Sequence, residues 1–490
     1  MRIATKLQLQ LGEIDIANIR LDPRSRDDIP QLLRGLQYLY TDKKLRAEIF
    51  EILAKLTPKT ITPELGRPGM ALWKIFVMGS LRLNLNCDYD RLQELVNNHK
   101  TIRQMLGHGF TDDELTYHLQ TLKDNVQLFT PEILDEINQV VVEAGHKLKK
   151  KELLAARCDS FVVKTHVHYP TDINLLLDAL RKTITLTADY ASMTGLDGWR
   201  QSGYNARQIK KAHRKAQQMK RSSSRDALKK ENRQAEIVQA HRDYLELAGQ
   251  LLHKSRQTLA AEVVDMGLTA MAKALAIQTY INHAQRQMDQ IERRVIHGET
   301  IAHDEKVFSI FQPHTEWISK GKAGVPVELG LKVCIVEDTQ GYLLHHQVME
   351  KQIDDQIAID LISETQARYP TLRVCSFDKG FHSPANQIEL AKKLDRVVLP
   401  KKGRCNKMEQ ERQNSEEFKT SRRKHSAVES GINALEVHGL DRCLDHGLNG
   451  FKRYVALAVV ARNLQKLGAE LQKKTRKQEK RKRDRDKLVA

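Results

Sequence analysis

Cysteine is scarce and scattered in this chain. Cys87, Cys158, Cys334, Cys375, Cys405 and Cys443 include no C-x-x-C pair, which argues against a disulfide scaffold or a zinc ribbon and fits a reducing cytosol. Long apolar runs are missing too. No stretch approaches the roughly 20 residues that a membrane span needs, and the N-terminus MRIATKLQLQLGEIDIANIR lacks the continuous apolar region of a secretory signal. These absences leave the expectation of a soluble, cytoplasmic protein with no membrane partner.

Positive charge is what the chain has in excess. Lys and Arg total 80 against 62 Asp and Glu, a formal charge of +18 over 490 residues. Such a balance points to a polyanionic partner, nucleic acid being the commonest, although a basic protein without that role has the same composition. The length exceeds one compact core and predicts roughly two to four domains.

Residues 1–150 read as an all-α N-terminal domain. Leu45, Ile49, Ile52 and Leu53 follow helical spacing after Thr41-Asp42, a start signal. Gly66-Arg67-Pro68-Gly69 breaks the chain before an apolar helix from Met70 to about Leu83. Thr111-Asp112-Asp113-Glu114 fits a capping box, and Thr130-Pro131-Glu132 puts Pro at a first helical position. Several short helices in a basic protein fit a DNA-binding helix-turn-helix or an ordinary bundle.

Residues 151–198 change character. Leu153 to Val163 is rich in strand formers and carries Asp159, and a helix through Leu175, Leu176, Leu180 and Ile184 follows. Residues 199–303 read as an inserted helical subdomain, polar and almost without strand signal. Leu245, Leu252 and Leu259 recur every seven residues there, which fits a coiled coil or a plain helical hairpin. The run Arg207 to Arg225 fits a solvated helix face or a phosphate contact.

Residues 304–470 return to strand character at Lys306–Phe311, Glu328–Glu337 and Tyr342–Met349, with a hairpin turn at Thr339-Gln340-Gly341. A helix from Asp354 to Arg368 leads to the strand Leu372–Phe377, which ends at Asp378 before a Gly-containing turn. A helix, the strand Arg396–Pro400 and a polar connector Lys401–Arg423 come next. A helix then carries Val428, Glu429, Ile432 and Leu435, and an apolar helix runs from Tyr454 to Leu467. Residues 471–490 form a basic tail expected to be disordered.

With the insertion removed, a mixed α/β sheet remains, carrying Asp159, Asp378 and Glu429 on separate elements. Paired divalent ions held by such carboxylates can stabilise the attacking and leaving oxygens of a phosphoryl displacement. An aspartate can equally cap a helix or start a turn, and 62 acidic residues offer many accidental triples.

The motifs around these acids carry a family resemblance. Cys158-Asp159-Ser160 with His168-Tyr169-Pro170-Thr171-Asp172 resembles the first catalytic block of the DDE transposases of bacterial insertion sequences. Phe377-Asp378-Lys379-Gly380-Phe381 resembles the second, and Arg422-Arg423-Lys424-His425-Ser426-Ala427-Val428-Glu429 with Ile432 and Leu435 the third. The stretch from His314 to Lys322 and the Gly66–Gly69 break also fit. The resemblance covers about residues 60–470 and is closest to the ISNCY group.

That resemblance implies an RNase H-like core, a mixed sheet with flanking helices, interrupted by the helical insertion. It implies metal-dependent cleavage of the phosphodiester at element ends and transfer of the freed 3′-hydroxyl into target DNA. Asp159, Asp378 and Glu429 carry over as catalytic residues and as ligands of two Mg²⁺ ions, for which Mn²⁺ can substitute. The implied partners are double-stranded DNA, as terminal inverted repeats and target, and further copies of the chain in a dimer or larger synaptic complex at a bacterial nucleoid. Related elements show a Tyr–Arg–Glu–Lys signature around the third acid; here Arg422 and His425 hold the Tyr and Arg positions and Glu436 the Lys position. Arg422, Arg423, Lys424 and His425 are therefore candidate DNA contacts, with Lys379 and His382 beside Asp378 and Trp317, Lys320 and Lys322 upstream. Trp317 could stack on an unpaired base, or simply fill a loop contact.

Three other readings compete. His166 and His168 have the H-x-H spacing of some metal hydrolases, without an H-E-x-x-H or further cluster to support it. An RNase H-like nuclease would cut without joining. A DNA-binding protein descended from a transposase would do neither.

Overall fold

The first helices begin where short acidic side chains satisfy free backbone N–H groups. Asp27 accepts from Ile29 N–H at 2.8 Å to start α1 (Asp28–Thr41). Asp42 accepts from Lys44 and Leu45 to start α2 (Lys43–Ala54). The apolar segment forms α3 (Leu72–Asn84), most of whose residues are buried, as a helix without a polar face must be. Then come α4 (Tyr89–Asn98), α5 (Lys100–Met105), α6 (Leu119–Val126) and α7 (Pro131–Lys147), the last capped by Thr130 with Pro131 at its first position. Trp73 is a core residue, its indole N–H donating to Met105 O at 3.1 Å. The computed structural model describes residues 3–5, 9, 12–57, 69–109, 115–149, 154–261, 267–319 and 326–489. The break at Gly66–Pro68 and the capping motif at Thr111–Glu114 lie outside the described residues.

The long strand β1 (Leu154–Thr165) follows. The chain divides into two compact units, one of residues 1–166 with 316–490 and one of residues 167–315. The second unit is a helical bundle of α8 (Asp172–Thr194), α9 (Ser202–Gln218), α10 (Ala227–Ala260) and α11 (Leu268–Ile291). Its own core contains Leu176, Leu180, Trp199, Ile209, Tyr244, Leu252, Ile277 and Ile281. Helix α8, which the sequence suggests as part of the sheet domain, puts its apolar face into this bundle core. Leu252 is buried and Leu245 and Leu259 partly so against the other helices of the bundle, so the seven-residue spacing serves packing within the chain. Residues 306–311, expected as a strand, are irregular. Ser309 there caps the backbone N–H groups of Phe311 and Gln312, using locally the donors a strand would pair with a neighbour.

The first unit resumes with β2 (Glu316–Ser319), β3 (Val327–Asp338), β4 (Leu343–Val348), α12 (Asp354–Arg368), β5 (Leu372–Phe377), α13 (Pro384–Lys393) and β6 (Arg396–Val398). The sheet order is β2-β3-β1-β5-β6, with β4 also on β3 and the two-residue β7 (Arg442–Cys443) on β1. β1 pairs antiparallel with β3 and parallel with β5, the mixed sheet expected. The segment read as a polar connector contains α14 (Lys407–Asn414) and α15 (Glu416–His425), before α16 (Ala427–Leu435). Asn406 and Ser415 cap these two helices; their polarity reflects exposure, not irregularity.

The last helix, α17 (Gly447–Val489), corrects the expected disordered tail: it continues through residues 471–489. Lys, Arg, Gln and Glu are good helix formers, and extending a helix already nucleated by packed turns avoids the nucleation cost. The packed turns carry Phe451, Val455, Val459, Leu464 and Leu467 into the same core as α1, α3, α7 and the sheet. No helix among the described residues is long and apolar enough to cross a membrane. At the crossing of α1 and α17 two glycines face each other. A Cβ on Gly468 would overlap the Gln31 carbonyl, and one on Gly35 the Leu464 carbonyl. Gly468→Ala should therefore cost at least ~2–3 kcal/mol by overpacking, read as a lower midpoint in thermal or urea unfolding; an unchanged midpoint would mean that the helices do not approach this closely.

Candidate active site

Two neighbouring parallel strands position the first two acids. The β1–β5 register runs through Ala156↔Cys375 and Arg157↔Ser376 to Cys158↔Phe377. One step further the same register carries Asp159 beside Asp378, the first residue beyond β5. Residues paired in this way share a face of the sheet, and the C-terminal ends of parallel strands are where open α/β sheets place their chemistry. The competing explanation of Asp378 as a cap does not hold. It precedes a short turn at Lys379–Phe381, but its side chain makes no capping hydrogen bond and is exposed.

The third acid, Glu429, is exposed in the first turn of α16. That helix buries Val428, Gly431 and Leu435. Its approach to the sheet depends on Gly431, since a Cβ there would stand 2.6 Å from Glu337 Oε1. Glu337 itself is buried on β3, its carboxylate 3.3 Å from Arg157 Nη1, and burial pushes its carboxyl up to about 7.

The environment of Asp159 shows which groups share its neighbourhood. Its Oδ1 accepts from Ser160 N–H at 2.7 Å, which favours the charged form. Burial acts the other way and more strongly, and the charges of Asp378, Asp354 and Glu429 add to it, so the carboxyl is pushed up to about 7. The other two acids named from the sequence, Asp378 and Glu429, thus both act on Asp159, together with a fourth, Asp354.

Asp354 is the residue that sequence reasoning missed. It opens α12, accepts from Ser160 Oγ at 2.7 Å and stands 3.3 Å from Lys332 Nζ. A Cβ on Gly380 would lie 2.8 Å from its Oδ2, so it also touches the turn after Asp378. Asp354-Asp355 at a helix start reads from sequence as ordinary first-turn acids favoured by the helix dipole; nothing local separates the two meanings.

The other predicted contacts divide. The His425 ring is tied to β5 by Ser376 Oγ, 2.9 Å from its Nδ1. Burial pushes its pKa down from the ordinary value, while Asp378 and Glu429 oppose and Arg157 and Arg422 reinforce that shift. His425 and Arg422 therefore lie in the neighbourhood of the acids. Arg423, Lys424 and Lys379 are exposed beside them in sequence. His382 is buried, and the charges acting on it are Glu409, Lys401 and Arg412, not the acids. Trp317 is on the edge strand β2, with β3 between it and β1. Lys320 and Lys322 lie outside the described residues.

All four acids offer hard oxygen donors, the chemistry Mg²⁺ prefers. Among the described residues no group of three or more His, Cys, Asp or Glu is already arranged to hold a metal ion. The H-x-H reading finds no support there either: His168 Nε2 is engaged with Asp178 at 2.6 Å.

The raised Asp159 carboxyl has a consequence for stability. Unfolded, the group ionises near its ordinary value of about 4; folded, near 7. It therefore costs nothing below pH ~4, an increasing amount between ~4 and 7, and its full penalty above 7. A shift of this size is on the order of 2–4 kcal/mol. In chelator-treated protein, Asp159→Asn should raise the melting temperature at pH 8, and the gain should vanish as pH falls toward 4. A gain independent of pH would refute the electrostatic origin.

No curated protein and no solved structure matches the chain. The family model described as the transposase DDE domain matches residues 297–464, a span that contains Asp378, Glu429, Asp354 and His425 and leaves Asp159 outside. A transposase DDE domain is thus present over about a third of the chain.

Proposed function

We propose that the protein is a DNA transposase of an insertion sequence, of the ISNCY group, cutting the phosphodiester at element ends and joining the freed 3′-hydroxyl to target DNA. The observation that carries this reading is the β1–β5 register, which sets Asp159 and Asp378 on one face with Glu429 in electrostatic reach, in a chain that matches the transposase DDE domain.

In this reading Asp159, Asp378 and Glu429 would hold two Mg²⁺ ions, which Mn²⁺ could replace. When bound, such ions stabilise the attacking and leaving oxygens of an in-line displacement. The chain's own residues do the positioning. Asp354, gripping Ser160, keeps the segment around Asp159 fixed; Ser376 holds His425, the last residue of α15, just before the helix bearing Glu429. Arg422, Arg423, Lys424 and Lys379 are exposed cations suited to the terminal phosphates. In the joining step the freed 3′-oxygen forms a bond to a target phosphorus as the target's own 3′-oxygen leaves. The partners are element ends, target DNA and a second copy of the chain or more, in a bacterial cytoplasm at the nucleoid.

The test uses Mg²⁺, a radiolabelled duplex bearing the inverted repeats that flank the gene, and a supercoiled target. Wild-type protein should nick the ends and, given precut ends, produce joined product. Asp378→Asn should keep its melting temperature and DNA affinity and lose both activities by ~10³-fold or more. Nicking without joining would sink the transposase reading in favour of a nuclease, and an active Asp378→Asn would sink the assignment of the site.

A further inference from the structure

The helical bundle of residues 167–315 carries a cationic face that the proposed catalytic chemistry does not use. Helix α9 contains no Asp or Glu at all. Its inner side is fixed by buried Ile209, His213 and Ala216, with His213 Nε2 2.9 Å from Asn174 Oδ1. Its outer side presents Arg207, Lys210, Lys211, Arg214 and Lys215, all exposed. These recur at the three- and four-residue spacing that keeps side chains on one face, and Tyr204, 51% exposed, stands one turn ahead of Arg207.

This face is concave. Arg207, Lys210, Lys211, Arg214 and Lys215 line a groove of about 1050 Å³ whose opposite wall includes Arg233 and Asp243 of α10. Two of the cations are occupied: Lys215 pairs with Asp243 at 2.8 Å and Arg233 with Glu236 at 2.7 Å. Among the described residues Arg207, Lys210, Lys211 and Arg214 have no acidic partner. Four like charges on about 10 Å of helix repel one another, a cost for which the bundle's own packing gives no return.

We propose that this groove binds the phosphate backbone of duplex DNA, as a second contact on the substrate, distinct from the carboxylate site. A duplex offers about one negative charge per 1.7 Å of axis, so the cationic stretch opposes several phosphates at once. The centre of a protein–protein interface is depleted of charge, whereas half of the residues lining this groove are Lys or Arg. The choice of DNA among polyanions rests on the transposase reading above.

The experiment measures binding of the full chain to a random-sequence duplex, with chelator present, across a salt series. Arg207, Lys210, Lys211 and Arg214 are replaced together by Gln, a good helix former. A control replaces Arg181, Lys182, Arg242 and Arg286, exposed cations elsewhere on the bundle, by Gln. The groove variant should flatten the dependence of log affinity on log salt by about 0.9 for each phosphate it no longer neutralises, about 3 to 4 in total, with an unchanged melting temperature. The control should keep the wild-type slope. Equal slopes for wild type and groove variant, an equal flattening in the control, or a groove that takes up polyglutamate but not DNA would each overturn the proposal. A wild type that cuts and joins DNA while the groove variant binds normally would overturn this inference alone. A wild type that binds no duplex would overturn the transposase reading with it.

Discussion

The burial of the Asp159 carboxylate close to other acids is the constraint on which the candidate site depends. Asp159, Asp354, Asp378 and Glu429 come from four elements far apart in the chain, and the other three each raise the cost of ionising Asp159. Side chains free to move would separate. They are held because one is on β1 and another directly follows the adjacent parallel strand β5, whose hydrogen bonds to β1 fix the register. A third is gripped by Ser160 and Lys332. The fourth is on a helix that Gly431 allows down onto Glu337. Packing thus keeps Asp159 near other acids that disfavour its ionisation.

The core that supplies this rigidity extends beyond the sheet. Asn463 of α17 donates to Asn138 Oδ1 at 2.7 Å and to Leu343 O at 2.9 Å, and accepts from Leu343 N–H at 3.0 Å. A fully paired buried network of this kind fixes one arrangement, because any shift strands a polar group without water. It joins an N-terminal helix, a sheet strand and the C-terminal helix. The N-terminal helices and the sheet therefore share one core, although their sequence patterns change abruptly near residue 150. The helical bundle, by contrast, has a core of its own, which is why a long insertion between Asp159 and Asp378 is compatible with a regular sheet.

Much of this was legible in the sequence where the signal is local. Caps at Asp42 and Thr130, the apolar helix after Gly69, the strands around Asp159 and Asp378 and the helix Asp354–Arg368 all follow from periodicity and start signals. What stayed hidden depends on contacts between distant segments. Asp354 looks like any first-turn acid until Ser160 and Gly380 are brought to it. Residues 407–425 look like a loop because no apolar stripe marks their helices, and the tail looks disordered because its charge conceals its helix propensity. Conversely, residues 306–311 have strand composition but no partner strand among the described residues, and composition alone does not supply one.

His425 shows how an altered motif can keep part of its geometry. Where the elements it resembles place an arginine, this chain has a half-buried ring whose burial pushes its pKa down and so disfavours the charged form. A neutral imidazole is a poor phosphate clamp, yet it is well suited to the hydrogen bond with Ser376 that ties α15 to β5. Ser376 stands two residues before Asp378, which follows β5 directly, and His425 and Glu429 are four apart across the junction of α15 and α16. The bond therefore couples the placement of the second acid to that of the third. Arg422, an exposed guanidinium one turn earlier on the same helix, acts on the same ring, and on the transposase reading the permanent charge needed at a phosphate would fall to it. On the transposase reading, the change at the motif position would separate two tasks that one arginine could combine, holding the helix and holding the substrate, and give them to two side chains.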